Sequence, residues 1–321
     1  MITQGFTFVA TWEAILDVGA LPVFTEVDET LNMDPVDLQK KITANTKCII
    51  PVHMLGAQAR VEEIVRIATD HGIPVIEDTA QAAGGRINDR HLGTFGTCGT
   101  FSFDAVKTIT TGEGGMIITD DVELWRSMSE YQDHGHDHQV NPGARGGECR
   151  RFIGFNYRMM ELQGAIGVAQ LAKLDNIVAA QQKNKAVLKE AAAGISGVVF
   201  RELVDERGDS ATFLTFTLQD RDHCRRVNES LGNNGQGAIN FSENTWHFYP
   251  KWEHLLEGKT LTRSGYPFVE PSGKRRIIYD PSFLPQSTAL LERTLVYPVS
   301  IKMTGQKLAD MCRALKNAQG V

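Results

Sequence analysis

Along the first half of the chain, short apolar runs alternate with segments whose apolar residues recur at helical spacing. Residues 12–18 read as a short helix stopped by Gly19, and residues 21–27 as a strand of β-branched and aromatic side chains. Asp34-Pro35 is a helix start, a capping carboxylate followed by proline at the first helical position, and the helix runs to about Ile42. A second strand covers residues 48–55. Val61, Ile64, Val65 and Ala68 then follow the i, i+3, i+4, i+7 pattern of an amphipathic helix ended by Gly72, and residues 73–76 are a third, apolar strand. Further strands at 99–103 and 115–119 precede a helix at 122–132. Residues 160–193 are almost continuously helical, a length suited to bridging two domains. Beyond Gly194 come strands at 212–218 and 294–299 and a terminal helix at 306–318, with loop-like stretches at 232–237 and 264–273.

Apolar strands joined by helices require a mostly parallel sheet covered on both faces. The fold class expected is therefore α/β: a large domain over residues 1–178 and a smaller α+β domain over residues 179–321. Composition agrees with a globular chain, being 42% hydrophobic and 22% charged. With 33 basic against 39 acidic residues, no surface suited to tracking nucleic-acid phosphates is expected. Five scattered cysteines without a Cys-x-x-Cys pair speak for reduced thiols in a cytoplasmic protein. No run reaches the roughly 18 apolar residues of a membrane span, so no membrane partner is expected. Glu13, Asp17 and Asp28 interrupt any secretory signal.

Open α/β sheets bind ligands beyond the carboxyl ends of their strands. The strand ending at Ile76 runs into Glu77-Asp78-Thr79-Ala80-Gln81, which places Asp78 and Gln81 at that rim. The strand holding Ser102 runs on to Lys107, adding a hydroxyl and an amine. Gly112-Glu113-Gly114-Gly115 then turns the chain back. Taken singly, Asp78 reads as a helix cap, Lys107 as a solvated charge and the glycines as a turn needing positive φ.

Together they resemble the DegT/DnrJ/EryC1/StrS sugar aminotransferases, fold-type I enzymes of pyridoxal phosphate. The matching stretches are Phe6-Thr7-Phe8-Val9-Ala10-Thr11, Val75 through Ala82, Gly99 through Lys107, Gly112 through Gly115, and Gly154-Phe155-Asn156-Tyr157-Arg158-Met159. The resemblance implies that Lys107 is the catalytic amine that joins pyridoxal 5'-phosphate covalently and later moves a proton. It implies Asp78 opposite the pyridine nitrogen, Gln81 near the phenolic oxygen, Ser102 on the phosphate and Phe8 against the ring. Asn156 would reach the phosphate of a neighbouring subunit, which implies a homodimer with shared sites. Arg158 is a candidate for the substrate or for a surface salt bridge. Lysine at 107, where the family's dehydratases carry histidine, favours amino transfer.

Family members usually carry several dozen residues before the Phe-Thr-Phe stretch, including a glycine-threonine helix start around the phosphate. This chain begins at Met1-Ile2-Thr3-Gln4-Gly5, so it reads as short at its amino terminus, through a late start or a shortened protein, and weak cofactor retention is expected. Asp133-His134-Gly135-His136-Asp137-His138 invites a zinc reading. The helix before it and the glycine within it favour a polar loop near the substrate, with no metal and with His134 as a substrate contact.

Phe103 through Thr110, the histidine loop, Gly208 through Phe213, and Trp246-His247-Phe248-Tyr249 before Trp252 resemble the 8-amino-3,8-dideoxy-manno-octulosonate transaminase branch. Glutamate would then aminate 3,8-dideoxy-8-oxo-manno-octulosonate in lipopolysaccharide biosynthesis, with Arg158, His134 and His247 as cations for an anionic sugar. The alternatives are a nucleotide-linked ketosugar aminotransferase and a non-catalytic relative. A zinc hydrolase built on the histidine loop is a further reading.

Overall fold

Strands of two to five residues suffice where a sheet is covered on both faces, and this chain builds its main sheet from such pieces. The computed structural model describes residues 1–137, 150–303 and 305–321. The order opens with β1 (Ile2–Gln4), α1 (Val9–Asp17), β2 (Val23–Thr25), α2 (Pro35–Lys41), β3 (Ile49–Ile50), α3 (Val61–Asp70) and β4 (Ile76–Asp78). A small hairpin, β5 (Arg86–Ile87) and β6 (Arg90–His91), precedes β7 (Cys98–Ser102), β8 (Gly115–Ile118) and α4 (Val122–Tyr131). β1 pairs in parallel with β2 and β3. Bridges Ile49–Val75 and Val52–Asp78 carry the parallel pairing on to β4, and β4 pairs in parallel with β7. Within this sheet, among the described residues, only β8 runs antiparallel, against β7. The sheet order is thus β2-β1-β3-β4-β7-β8, mostly parallel as the apolar runs predict.

The capping chemistry acts where the sequence places it. Asp34 accepts the Val36 N–H at 2.8 Å, and Pro35 occupies the first turn of α2. Ile64, Ile67 and Ala68 of α3 are buried against Ile2, Ile49 and Val75, and Val61 against Ala82, Ile87 and Leu92. Each of the larger side chains contributes about 1.5–3 kcal/mol by leaving water.

The helical stretch expected over 160–193 is two helices, α5 (Glu161–Leu171) and α6 (Leu174–Ala192). Then follow β9 (Val199–Phe200), β10 (Phe213–Thr217), α7 (Arg221–Asn233), a single turn α8 (Glu253–Leu256), α9 (Pro285–Glu292), β11 (Thr294–Pro298) and α10 (Gln306–Asn317). The antiparallel sheet β9-β10-β11 packs Leu214, Phe216 and Leu295 against Leu188 of α6, Val227 and Leu231 of α7, and Met311 and Leu315 of α10. Helix α7 goes unread in the sequence analysis. Its buried His223, Cys224, Val227 and Leu231 do fall at helical spacing, and Asp220 caps it through the His223 N–H.

A second aromatic core, Trp12, Phe24, Tyr249, Trp252 and Phe268, joins α1 to the segment around Tyr249. Among the described residues, helix α5 differs from the other long helices in having no buried residue, although it carries Leu162, Ile166, Val168 and Leu171. Among the described residues no helix is long and apolar enough to cross a membrane.

Candidate active site

Strands β4 and β7 lie side by side in parallel and end at Asp78 and Ser102. The backbone of Asp78 is locked on its other flank, its N–H donating to Pro51 O and its carbonyl accepting from the His53 N–H, both at 2.9 Å. Its carboxylate accepts from Thr11 Oγ1 at 2.8 Å and from the Ala80 N–H at 3.1 Å. Because Thr11 gives its only hydroxyl hydrogen to Asp78, it must accept from Thr7 Oγ1, 2.8 Å away. The chain Thr7→Thr11→Asp78 therefore has a fixed direction. Among the described residues neither Asp78 nor Lys107 has an ion-pair partner.

After β7 the chain makes a closed loop. The Lys107 N–H donates to Asp104 O at 3.1 Å, Phe103 N–H to Gly114 O at 2.8 Å, and Asp104 bridges to Gly112. The return needs φ of +85° at Gly112 and +155° at Gly114, which glycine supplies without strain. The half-buried Lys107 side chain is thereby held next to the strand ends. Ser102 Oγ accepts only a long contact from the Asp104 N–H, 3.4 Å, so its own hydrogen is left to donate outward. Gln81 uses its side-chain oxygen on the Leu55 N–H at 2.9 Å.

Directly behind Asp78, Glu77 is fully buried and accepts from His53 Nε2 at 3.0 Å and from the N–H groups of Gly93, Phe95 and Gly96 at 2.6–2.8 Å. Burial pushes the Glu77 carboxyl up, but the His53 hydrogen bond and the Gly96 and Gly93 amides outweigh it and hold it below the usual range. The His53 ring accepts the Ala59 N–H on Nδ1, which fixes Nε2 as the protonated nitrogen. Sequence reading missed this pair; a carboxylate inside an apolar strand, with a histidine at the end of the neighbouring one, is the signal that marks it.

Residues 246–249 from the second half of the chain complete the rim. Thr7 N–H donates to His247 O and Val9 N–H to Trp246 O, each at 2.9 Å, and Phe6 bridges to Phe248. This seats the His247 ring 5.2 Å from the Phe8 ring and 5.1 Å from Phe241. Burial, and then the charge of Lys107, push the imidazole down to about 4. At neutral pH His247 is therefore uncharged. A neutral imidazole offers an anionic sugar no positive charge.

The remaining candidates form a separate group. Asp133 bridges to Asn156, Asn156 Oδ1 accepts the Arg158 N–H at 3.3 Å, and Arg158 Nη1 donates to Asp133 at 2.5 Å. His134 is exposed in a turn with φ of +55°, its N–H on Phe155 O and its carbonyl on Arg150. Among the described residues no hydrogen bond, ion pair or ring contact joins Asn156, Arg158 or His134 to Asp78, Ser102 or Lys107. Arg158 is thus engaged in an ion pair with Asp133. His138 lies outside the described residues, and among those described no three His, Cys, Asp or Glu residues are grouped for a metal ion.

A carboxylate, a hydroxyl and an amine thus follow the ends of two adjacent parallel strands. The profile of the DegT/DnrJ/EryC1/StrS aminotransferase family matches residues 1–266. The chain belongs to that family. It is 32% identical over 274 residues to the GDP-perosamine synthase of Vibrio cholerae, covering 80% of this chain and 70% of that protein. It is 40% identical over 180 residues to the UDP-N-acetyl-3-dehydro-alpha-D-glucosamine 3-aminotransferase of Acidithiobacillus ferrooxidans, covering 54% of this chain and 46% of that one. Among solved structures, the aminotransferase from Psychrobacter cryohalolentis superposes with a TM-score of 0.80 at 26% identity, over 98% of this chain and 79% of that chain. Membership carries the enzyme class and the cofactor with it, a sugar aminotransferase dependent on pyridoxal phosphate.

The residues fit that cofactor. Asp78 is supported by neutral donors alone, so its charge is available to a protonated ring nitrogen. Among the described residues Ser102 has an uncommitted hydroxyl hydrogen and Lys107 has no ion-pair partner.

Proposed function

We propose that this chain moves an amino group from an amino acid, glutamate first, to the carbonyl carbon of a nucleotide-linked ketosugar. The observation that carries the reading is the convergence of Asp78, Ser102 and Lys107 on the rim of two adjacent parallel strands. When bound, pyridoxal phosphate supplies an aldehyde carbon and an electron-withdrawing ring. The chain does the rest. Asp78, aligned by Thr11, would hold a proton on the ring nitrogen. Ser102 would donate to the phosphate, and Gln81 and Phe8 would hold the ring. Lys107 would hold and move a proton at its Nζ.

For the sugar, the names of the two relatives above point to nucleotide-linked substrates. The octulosonate reading calls for cations, but His247 is neutral and Arg158 is already paired with Asp133. We therefore favour the nucleotide-linked class and keep the octulosonate as the competing substrate. Incubating the protein with pyridoxal phosphate and glutamate, then with a GDP-linked 4-keto-6-deoxyhexose or with 3,8-dideoxy-8-oxo-manno-octulosonate, separates the two by which one becomes aminated. Failure to trap the cofactor on Lys107 with borohydride would falsify both readings.

The unburied apolar face of α5, continued by Phe152, Ile153, Phe155, Tyr157 and Met160, supports a second copy of the chain as its cover. Asn156 and Arg158 sit in that face. In a homodimer they would then serve the neighbour's site rather than their own. The same reading keeps residues 1–178 as the cofactor-binding unit and residues 179–321 as the smaller one.

A further inference from the structure

One side-chain oxygen in the rim segment holds two neighbours at once. Asn244 Oδ1 accepts the Trp246 N–H at 2.9 Å and lies 2.9 Å from His247 Nδ1. The backbone N–H of Trp246 can only donate, so it decides which end of the amide faces inward. With oxygen inward, His247 Nδ1 must carry the hydrogen. A neutral ring with a protonated Nδ1 has its lone pair on Nε2, and among the described residues that nitrogen has no hydrogen-bond partner. The Phe8 and Phe241 rings wall the imidazole. Beside it the Trp246 indole stands 64% exposed with its ring 6.4 Å from Phe8, although its backbone is pinned to Val9. An exposed indole on a fixed backbone, next to an unused acceptor at the rim, is a surface suited to a sugar ring. Its apolar C–H face can lie on the indole while a hydroxyl donates to the imidazole.

We propose that Asn244, Trp246 and His247 form the element that recognises the acceptor sugar, an inference that rests on the amino-transfer reading. His247 Nε2 accepts a hydroxyl of the sugar ring, Trp246 covers the ring face, and Asn244 is the positioning residue that sets both. The chemistry selects a neutral, hydroxylated part of the substrate. It does not select a carboxylate, which would meet a lone pair. A site built around a hydroxyl discriminates by leaving its own polar group unpaired when that hydroxyl is missing.

The test uses the full chain loaded with pyridoxal phosphate and follows each half-reaction by absorbance. The amino-acid half uses glutamate. The sugar half is run from the amino sugar, with GDP-perosamine and 8-amino-3,8-dideoxy-manno-octulosonate as probes. Asn244→Ala is expected to raise the KM for the amino sugar about tenfold, roughly one hydrogen bond's worth, while the glutamate half changes less than about twofold. Trp246→Phe is expected to recover most of what Trp246→Ala loses. Nitrogen-15 NMR, assigned by difference with His247→Asn, is expected to show the Nδ1–H tautomer at pH 7 and its loss in Asn244→Ala.

A cationic or Nε2–H His247 in the unaltered protein overturns the proposal. So does equal slowing of both half-reactions in Asn244→Ala, or an unchanged sugar KM. Reaction with glutamate but with neither amino sugar overturns it while the amino-transfer reading stands. No reaction with glutamate removes the amino-transfer reading and, with it, the sugar-recognition role, whereas the NMR result still reports separately on the Asn244 geometry.

Discussion

The rim around Asp78 and the face along α5 are built on opposite terms. At the rim, polar groups of the chain are matched to one another: Thr7 to Thr11 to Asp78, Glu77 to His53 and three backbone amides, Asn244 to two neighbours. Along α5 and residues 152–160, among the described residues, apolar side chains such as Ile153, Met160, Leu162 and Val168 stand largely exposed. A region whose hydrogen bonds close within one chain can hold a catalytic geometry by itself. A region whose apolar area remains open needs another surface. The contrast explains why the site candidates fall into two groups, since Asn156 and Arg158 belong to the open face.

The largest break in this comparison is at the rim. Lys107→Ala is expected to cut amino transfer by at least about 10⁴-fold, the upper range of a positioned acid–base group, with the circular dichroism spectrum unchanged. If turnover survives, the rim is not the reaction centre. Next comes Glu77→Ala, which strands His53 and three amides in a dry interior and is expected to cost about 3–5 kcal/mol in urea unfolding. A loss below 1 kcal/mol would mean the network is only incidental. On the open face, Ile166→Glu is expected to move the protein from dimer to monomer by light scattering. Its effect on the stability of the monomer is expected to stay within about 0.5 kcal/mol, as at other surface positions. A dimer that persists would show that this face is covered otherwise.

Two smaller effects sharpen the contrast. The His247 pKa falls from 6.5 to about 4 on folding, so between those values the unfolded chain binds the extra proton. This contribution to stability is present above pH 6.5 and is lost as pH drops toward 4. His247→Asn should flatten that acid limb in thermal melts, and an unchanged limb would count against the buried, neutral ring. Last, Arg158→Ala is expected to cost no more than about 1 kcal/mol, because its pairing with Asp133 is half exposed.

Much of this fold is legible in one sequence, for identifiable reasons. Asp34-Pro35 announces α2 because cap and proline act locally, and Val61 through Ala68 announce α3 because one face is buried. The third strand is misplaced, expected at 73–76 and found at Ile76–Asp78. Apolar residues mark burial, whereas Ile73 spends its N–H on Ala68 O at the end of α3 and the ladder starts later. The break between α5 and α6 at residues 172–173 carries no glycine or proline, so local preference gives no sign of it. The site reads well where chemistry follows a strand, as at Asp78, Ser102 and Lys107. The roles of Thr11 and His53 are not legible because each acts through a partner far off in the chain, 67 residues away for Thr11 and Asp78 and 24 for His53 and Glu77, whereas Asn244 acts locally, on Trp246 and His247, in a stretch with no regular periodicity to mark it.

The start of α1 has a consequence for whatever occupies the rim. Phe8 is its N-cap and Thr11 lies in its first turn, so the residue that would press on a ring and the one that steers its acid counterpart share a single rigid corner. Tilting that corner shifts stacking and charge together. Evolution cannot retune the electronics of a bound heterocycle here without also re-angling its plane, and a library varied at positions 7, 8 and 11 should drift as a block rather than site by site.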